Sequence, residues 1–190
     1  MYPLIRFAKD IWRARSLPAL PLTGVHVSTH HCWPWDLDPW IELNNGRTLT
    51  LFDLGRLPLA VRTGIIGTMR AQRWGITVAG NTVRYRRRIR AFQRFTMVSH
   101  TLGWDHRFIY MEQSMWSKGE CCNNMLLRAA ITSDQGIVAP HRLMEAAGRH
   151  EASPELPDWV KAWIHADAQR PWPPTIPPLA AIDPKDDLPR

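Results

Sequence analysis

Between Gly75 and Thr132 the chain strings together four long segments of strand character with very little between them. They run from Ile76 to Ile89, Phe92 to Trp104, Phe108 to Trp116 and Cys121 to Thr132. Their connectors are Arg90-Ala91, Asp105-His106 and Ser117-Lys118-Gly119. The last is a hairpin signal, because glycine tolerates the positive φ of a tight turn. Segments joined this closely make an antiparallel meander. An earlier stretch, Val25 to Trp33, alternates and is β-branched at several places, which adds a fifth strand. A sheet of this kind needs a cover for its apolar face.

The cover lies between the first strand and the meander. The stretch WPWDLDPWIELNNGRTLTLFDLGR, Trp33 to Arg56, sets Asp36 and Asp38 before an Asn44-Asn45-Gly46 corner that carries a helix-cap signal. A helix is expected from Arg47 to Arg56, with Pro58 opening a second helical piece towards Arg70. The fold class is therefore α+β, five antiparallel strands wrapped around a central helix. Acidic side chains then stand beside the positive end of a helix, whose backbone N–H groups are free to bind a developing negative charge. An acid next to such an oxyanion site is an apparatus for acyl transfer.

Flanking segments divide the chain into residues 1–23, 24–150 and 151–190. Residues 1–16 read as an amphipathic helix with Leu4, Ile5, Ala8, Ile11 and Trp12 on one side. Its ordinary role is packing on its own domain; the other is contact with a membrane surface. Ser16 to Thr23 reads as a linker. Pro140 to Gly148 reads as a further helix, and Trp159, Val160, Trp163 and Ile164 suggest a short one inside the proline-rich extension. Arg170 to Arg190 is expected to be extended and weakly ordered.

The formal charge of +7 favours a polyanionic partner: nucleic acid, an anionic membrane or a phosphate-bearing molecule such as coenzyme A. On a regular strand Arg84, Arg86, Arg88 and Arg90 share one face, with Tyr85, Arg87 and Ile89 on the other. Such a stripe suits the phosphates of coenzyme A, or it is a solvated edge protected by charge. It lacks the interleaved aromatics of an RNA platform, so nucleic acid is not expected. No run of about 18 apolar residues predicts a membrane span. Three cysteines, two of them adjacent and none in a CxxC pair, fit a reducing compartment. The opening residues lack the apolar core of a secretory signal, so the cytoplasm is expected. His30-His31 before Cys32 has no second ligand pair at a metal spacing, so no metal is expected. No GxSxG elbow supports Ser-His-Asp chemistry. Asp53 is expected to pair with Arg56 or Arg47 on the helix. Trp33, Trp35 and Trp40 can line an acyl pocket or anchor the core.

The order strand, DxD, Asn-Asn, helix, meander resembles the hotdog-fold acyl-CoA thioesterases of the 4-hydroxybenzoyl-CoA thioesterase type. The residues that carry it are the Trp33–Arg56 stretch with VRYRRRIRAFQRF, LGWDHRFIYMEQ and GECCNNMLLRAAI, covering roughly residues 24 to 148. Within that family the chain is similar to a subgroup that includes the animal thioesterase-superfamily member 6 proteins. The resemblance implies that Asp38 acts as nucleophile on the thioester or as general base for water. It implies that the backbone N–H of Asn45, with that of Gly46, polarises the thioester oxygen, and that Asn44 orders the corner. Asp36 would fix the loop by hydrogen bonding, and Arg84, Arg86 and Arg88 would bind substrate. Glu42 stands where the subgroup carries His, and Thr48 where it carries an aromatic. Glu42 either shares the acid and base roles with Asp38, or marks a site that binds acyl-CoA without turning it over. Acyl carrier protein thioesters are a third expectation. Coenzyme A enters as part of the substrate, with no separate cofactor, and a homodimer or homotetramer is implied.

Overall fold

One antiparallel sheet carries the architecture of the computed structural model, which describes residues 2–174. Its strands are β1 (Val25–His31), β2 (Gly75–Tyr85), β3 (Arg94–Trp104), β4 (Ile109–Ser117), β5 (Glu120–Ser133) and β6 (Gly136–Val138). Their order across the sheet is β1-β3-β4-β5-β2, with β6 paired to the end of β5. The expected meander holds for β3, β4 and β5 only. The strand β2, expected beside β3 across Arg90-Ala91, pairs with β5 instead, and β1 takes the place beside β3. The reason is that β2 ends at Tyr85, so residues 86–93 form a connection long enough to cross the sheet. The short β6 is an addition that three residues are too few to announce. Burial alternates along β3, so Phe95, Met97, Ser99 and Thr101 face inward together.

The inner face packs on a single helix, α2 (Asn45–Arg62), whose Leu51, Phe52, Leu54 and Leu59 are buried. This is the expected hotdog arrangement, with one correction. The helix does not break at Pro58 but runs through it as one element of 18 residues. Pro58 is itself buried, so packing on the sheet holds the helix together across the missing N–H. A short helix α3 (Ile65–Gln72) then leads into β2, and α4 (Pro140–Ala146) follows β6.

Gly55 sets how closely α2 lies on the sheet. A methyl group there would run into Ser99 Oγ and Met97 Sδ. Ser99 cannot give way freely, because its hydroxyl takes a 2.8 Å hydrogen bond from the buried Gln113 amide, which also donates to the Phe52 carbonyl at 2.9 Å. Gly55→Ala is therefore expected to lower stability by about 2 kcal/mol, although alanine is the better helix former by about 1 kcal/mol. Urea unfolding checks this. A stabilised variant would mean that the helix can lift off β3 without loss.

The helix α1 (Leu4–Ser16) departs from expectation. Of the expected stripe only Ile11 is half-buried; Leu4, Ile5, Ala8 and Trp12 do not pack on the domain and are exposed. Pro3, Asp10 and Ala14 are buried instead. Arg6 reaches Asp36, and Asp10 lies 3.6 Å from His30 Nδ1. The other ring nitrogen of His30 is 2.7 Å from Ser28 Oγ. His26, also buried on β1, meets Arg62 at 3.1 Å.

These two histidines are expected to make the fold acid-sensitive. Burial pushes the pKa of His26 down to about 4 and that of His30 to about 3, and the nearby cations Arg62, Lys9 and Arg6 add to it. Unfolded, both rings would bind a proton near pH 6.5. The unfolded chain therefore holds more protons than the folded one below that pH. Stability is full above about pH 6.5 and falls as the pH drops, by about 1.4 kcal/mol for every tenfold in proton affinity. Asp10 opposes part of this, since burial raises its pKa and protonation relieves it. Melting temperatures measured from about pH 7.5 down to 4.5 should fall steeply below 6.5. A flat profile would show that the rings are hydrated.

The chain divides after Glu155 into two compact units. The second contains α5 (Asp158–Ala168), the short helix expected there. Most of the expected extended tail lies outside the described residues.

Candidate active site

The segment between β1 and α2 is built around Asp36. Pro34–Asp36 forms one 3-10 turn, which swings the carboxylate inward, where its side chain has no exposed surface. It accepts hydrogen bonds from Arg6 at 2.7 and 2.9 Å, from Arg47 Nε at 2.7 Å and from the Trp33 amide at 3.0 Å. Burial alone would raise its pKa, but the bonds from Arg6, Arg47 and Trp33 outweigh it and hold the carboxyl below its ordinary range. Asp36 fixes the loop, as its position suggested.

Two residues on, Asp38 closes a tight loop on itself. Its Oδ1 accepts from the Trp40 amide at 2.9 Å and, at 3.4 Å, from that of Glu42. Its own amide donates to the Glu42 carbonyl at 2.9 Å, and the Ile41 amide donates to the Asp38 carbonyl at 3.0 Å. Ile41 takes up the turn with φ +59°, a conformation that a β-branched side chain rarely adopts. One carboxylate oxygen is thereby tied down. The other, Oδ2, carries no protein hydrogen bond among the described residues.

Asn44 caps α2: its side chain accepts from the Arg47 amide at 3.0 Å, and its own amide donates to the Asp36 carbonyl at 3.0 Å. The buried Thr48 hydroxyl bonds the Asn44 carbonyl at 3.0 Å. The Gly46 amide is engaged at 2.8 Å by the side chain of Asn45. The amide of Asn45, first in the helix, donates to nothing among the described residues, which leaves one N–H at the positive end of α2.

The arginine run is not the regular stripe its spacing suggests. The strand β2 stops at Tyr85, and the amides of Arg86 and Arg87 both converge on the Cys122 carbonyl, at 2.8 and 3.1 Å. Two residues against one partner break the alternation. Arg86, Arg87 and Arg88 therefore all line one cleft, and Arg84 lines none of the clefts that they do. Ile89, buried, accepts at its carbonyl from the Leu43 amide at 2.8 Å, which stitches the run to the Asp38 loop.

The result is a cleft of about 460 Å³ shared by Asp38, Glu42, Asn44, Asn45 and the three arginines. Glu42 Oε2 sits 2.7 Å from Arg88 Nε without hydrogen-bond alignment. Tyr85 and Asn123 complete the wall, and the Tyr85 hydroxyl donates to the Asn45 carbonyl at 3.2 Å. Sequence reasoning missed Tyr85 and Arg87, because a regular strand would turn them away. Nothing in the sequence marks Asn123. Of the tryptophans, Trp40 borders the cleft, while Trp33 and Trp35 stack on each other with ring centroids 5.5 Å apart. Asp53 pairs with Arg56, and its other oxygen takes the Tyr2 hydroxyl at 3.1 Å. Among the described residues no group of three or more His, Cys, Asp or Glu side chains is placed to hold a metal ion.

The profile of the Thioesterase-like superfamily matches residues 32–164. The chain is 29% identical over 164 residues to the Xenopus laevis protein THEM6, covering 84% of this chain and 77% of that one. It superposes on the Escherichia coli protein YbaW, described as a probable thioesterase, with a TM-score of 0.60 at 17% identity, covering 64% of this chain and 96% of that one. A Thermus thermophilus thioesterase complexed with coenzyme A and zinc superposes with a TM-score of 0.55 at 20% identity, over 66% of this chain and 96% of that one. With strand order, central helix and a matched profile in agreement, the chain belongs to the Thioesterase-like superfamily, in a THEM6-like subgroup, and is a thioester hydrolase.

Proposed function

We propose that the chain hydrolyses acyl-CoA thioesters in the cleft between the Asp38 loop and the start of α2. The observation that carries this is a single juxtaposition. Asp38, with one carboxylate oxygen fixed and one open, lines the same cleft as Asn45, whose amide donates to nothing among the described residues, and three arginines. The thioester carbonyl would accept from the Asn45 amide, where the helix end favours the negative charge of the tetrahedral intermediate. Asp38 Oδ2 takes a proton from water as hydroxide attacks the carbonyl carbon, and collapse expels the coenzyme A thiolate, which regains the proton. The same oxygen can attack directly, forming a mixed anhydride that water then opens. A single turnover in ¹⁸O-water identifies the second route where water opens the anhydride at the Asp38 carbonyl carbon, since label in Asp38 cannot arise by the first.

Arg86, Arg87 and Arg88 would meet the phosphates of coenzyme A. The adjoining hollow of about 500 Å³, lined also by Arg90 and Lys118, extends the same cationic surface. Arg84 is set apart and is assigned no role in this reading. Glu42, held against Arg88, would position the loop rather than share the proton. An acyl carrier protein would engage the same arginines, and its turnover would fall more steeply with salt than that of free acyl-CoA. A homodimer fits the edge position of β2, whose Ile76 and Val78 are exposed. Incubation with a panel of acyl-CoAs while following free thiol tests the proposal. Tight acyl-CoA binding with no release from any of them would make the chain a binding protein instead.

A further inference from the structure

The helix α1 leaves an apolar stripe uncovered on the side away from the domain. Its contacts with the domain are Phe7 against the core, the buried Ala14, and polar ones: Arg6 with Asp36 and the His31 carbonyl, and Asp10 beside His30. The side turned to water carries Leu4 at 66%, Trp12 at 71% and Ile5 at 88% exposure, with Ala8 exposed between them. At 100° per residue these four fall on one stripe about two turns long. Burying a carboxylate while leaving three large apolar side chains in water is unfavourable on both sides of the helix unless something covers the stripe.

The charges around the stripe say what covers it. Arg15 ends it, Lys9 and Arg13 border it, and all three are exposed. The one acid of the helix, Asp10, is inside, 3.7 Å from Lys9. Pairing two copies through this face would set cations against cations, because an isologous contact repeats the same surface. An anionic surface meets no such repulsion. Trp12 is the side chain that settles at the boundary between headgroups and hydrocarbon. A helix of 13 residues is about 20 Å long, short of the roughly 30 Å of a bilayer core, so it can lie along a membrane but not cross it. No helix among the described residues is long and apolar enough to cross.

We propose that α1 lies in the surface of an anionic phospholipid bilayer. Leu4, Ile5 and Trp12 enter the headgroup boundary, and Lys9, Arg13 and Arg15 meet lipid phosphates. The buried bonds of Arg6 to Asp36 hold the helix on the domain as the domain docks. This rests on α1 alone and is independent of the chemistry in the cleft.

Vesicle co-sedimentation of the full chain tests it. Phosphatidylcholine vesicles containing about one third phosphatidylglycerol should retain the chain at low salt, pure phosphatidylcholine vesicles should retain little, and about 0.5 M salt should release it. The triple variant Leu4→Ser, Ile5→Ser, Trp12→Ser should partition about tenfold less or weaker still. Its melting temperature, elution volume and turnover of soluble acyl-CoA should be unchanged. A charge-reversal variant, Lys9→Glu, Arg13→Glu, Arg15→Glu, should lose the anionic preference. Failure of the unaltered chain to bind anionic vesicles overturns the proposal, as does equal binding by the triple variant. A change of oligomer mass in the triple variant would also overturn it, by showing that the stripe is a protein contact.

Discussion

Asp38→Asn is expected to lower kcat by about a thousandfold with the fold and the affinity for acyl-CoA largely retained. The asparagine Oδ1 can still accept from the Trp40 and Glu42 amides, at the 2.9 and 3.4 Å positions that close the loop. The turn, with Ile41 held at φ +59°, therefore survives. What disappears is the open oxygen. An amide neither takes a proton from water nor attacks a carbonyl at neutral pH. The loss should fall on kcat rather than KM, because Arg86, Arg87 and Arg88 bind the other end of the substrate and are untouched. Steady-state kinetics with the best acyl-CoA of the panel, beside a melting curve, measure both. Retention of more than about a tenth of the activity would remove Asp38 from the chemistry.

The sequence shows the β3-β4-β5 hairpins clearly, because short connectors leave them no topology but neighbours, whereas β2 ends early and crosses to the far side of β5. It also shows that Asp38, Asn44 and Asn45 belong together, since a loop followed by a capped helix keeps them within a few residues. Three features were not legible, each for a tertiary reason. Pro58 reads as a break only if the helix is considered alone, and packing against the sheet carries it through. The arginine run reads as a stripe only if β2 stays regular, and the double hydrogen bond to the Cys122 carbonyl ends it. The apolar side of α1 reads as the packing side only while the partners of Arg6 and Asp10 are unknown. Local pattern sets which residues share a face. Partners distant in the chain decide which face turns inward.

Those partners make Asp36→Ala the substitution expected to damage the fold most. Its carboxylate is fully enclosed and answers two guanidinium groups, Arg6 and Arg47, whose own side chains are only 15% and 14% exposed. Truncation leaves Arg6 enclosed without its counter-charge and removes the 2.7 Å pair of Arg47, a loss of about 3–5 kcal/mol. It also frees the Trp33 amide and cuts the tie between α1 and the loop. Urea unfolding should show a much lower midpoint, and α1 should become the first site of proteolysis. Adding Arg6→Met to Asp36→Ala should recover part of the loss, because one stranded charge is then replaced by apolar surface of similar length. If the second substitution instead adds its full cost to the first, the pair is not coupled. The bonds at 2.7 and 2.9 Å would then position the helix without supporting it. Turnover in the single variant should fall as well. The Asp36 carbonyl holds the Asn44 amide at 3.0 Å, and a loop that loses its anchor no longer presents Asp38 to the end of α2.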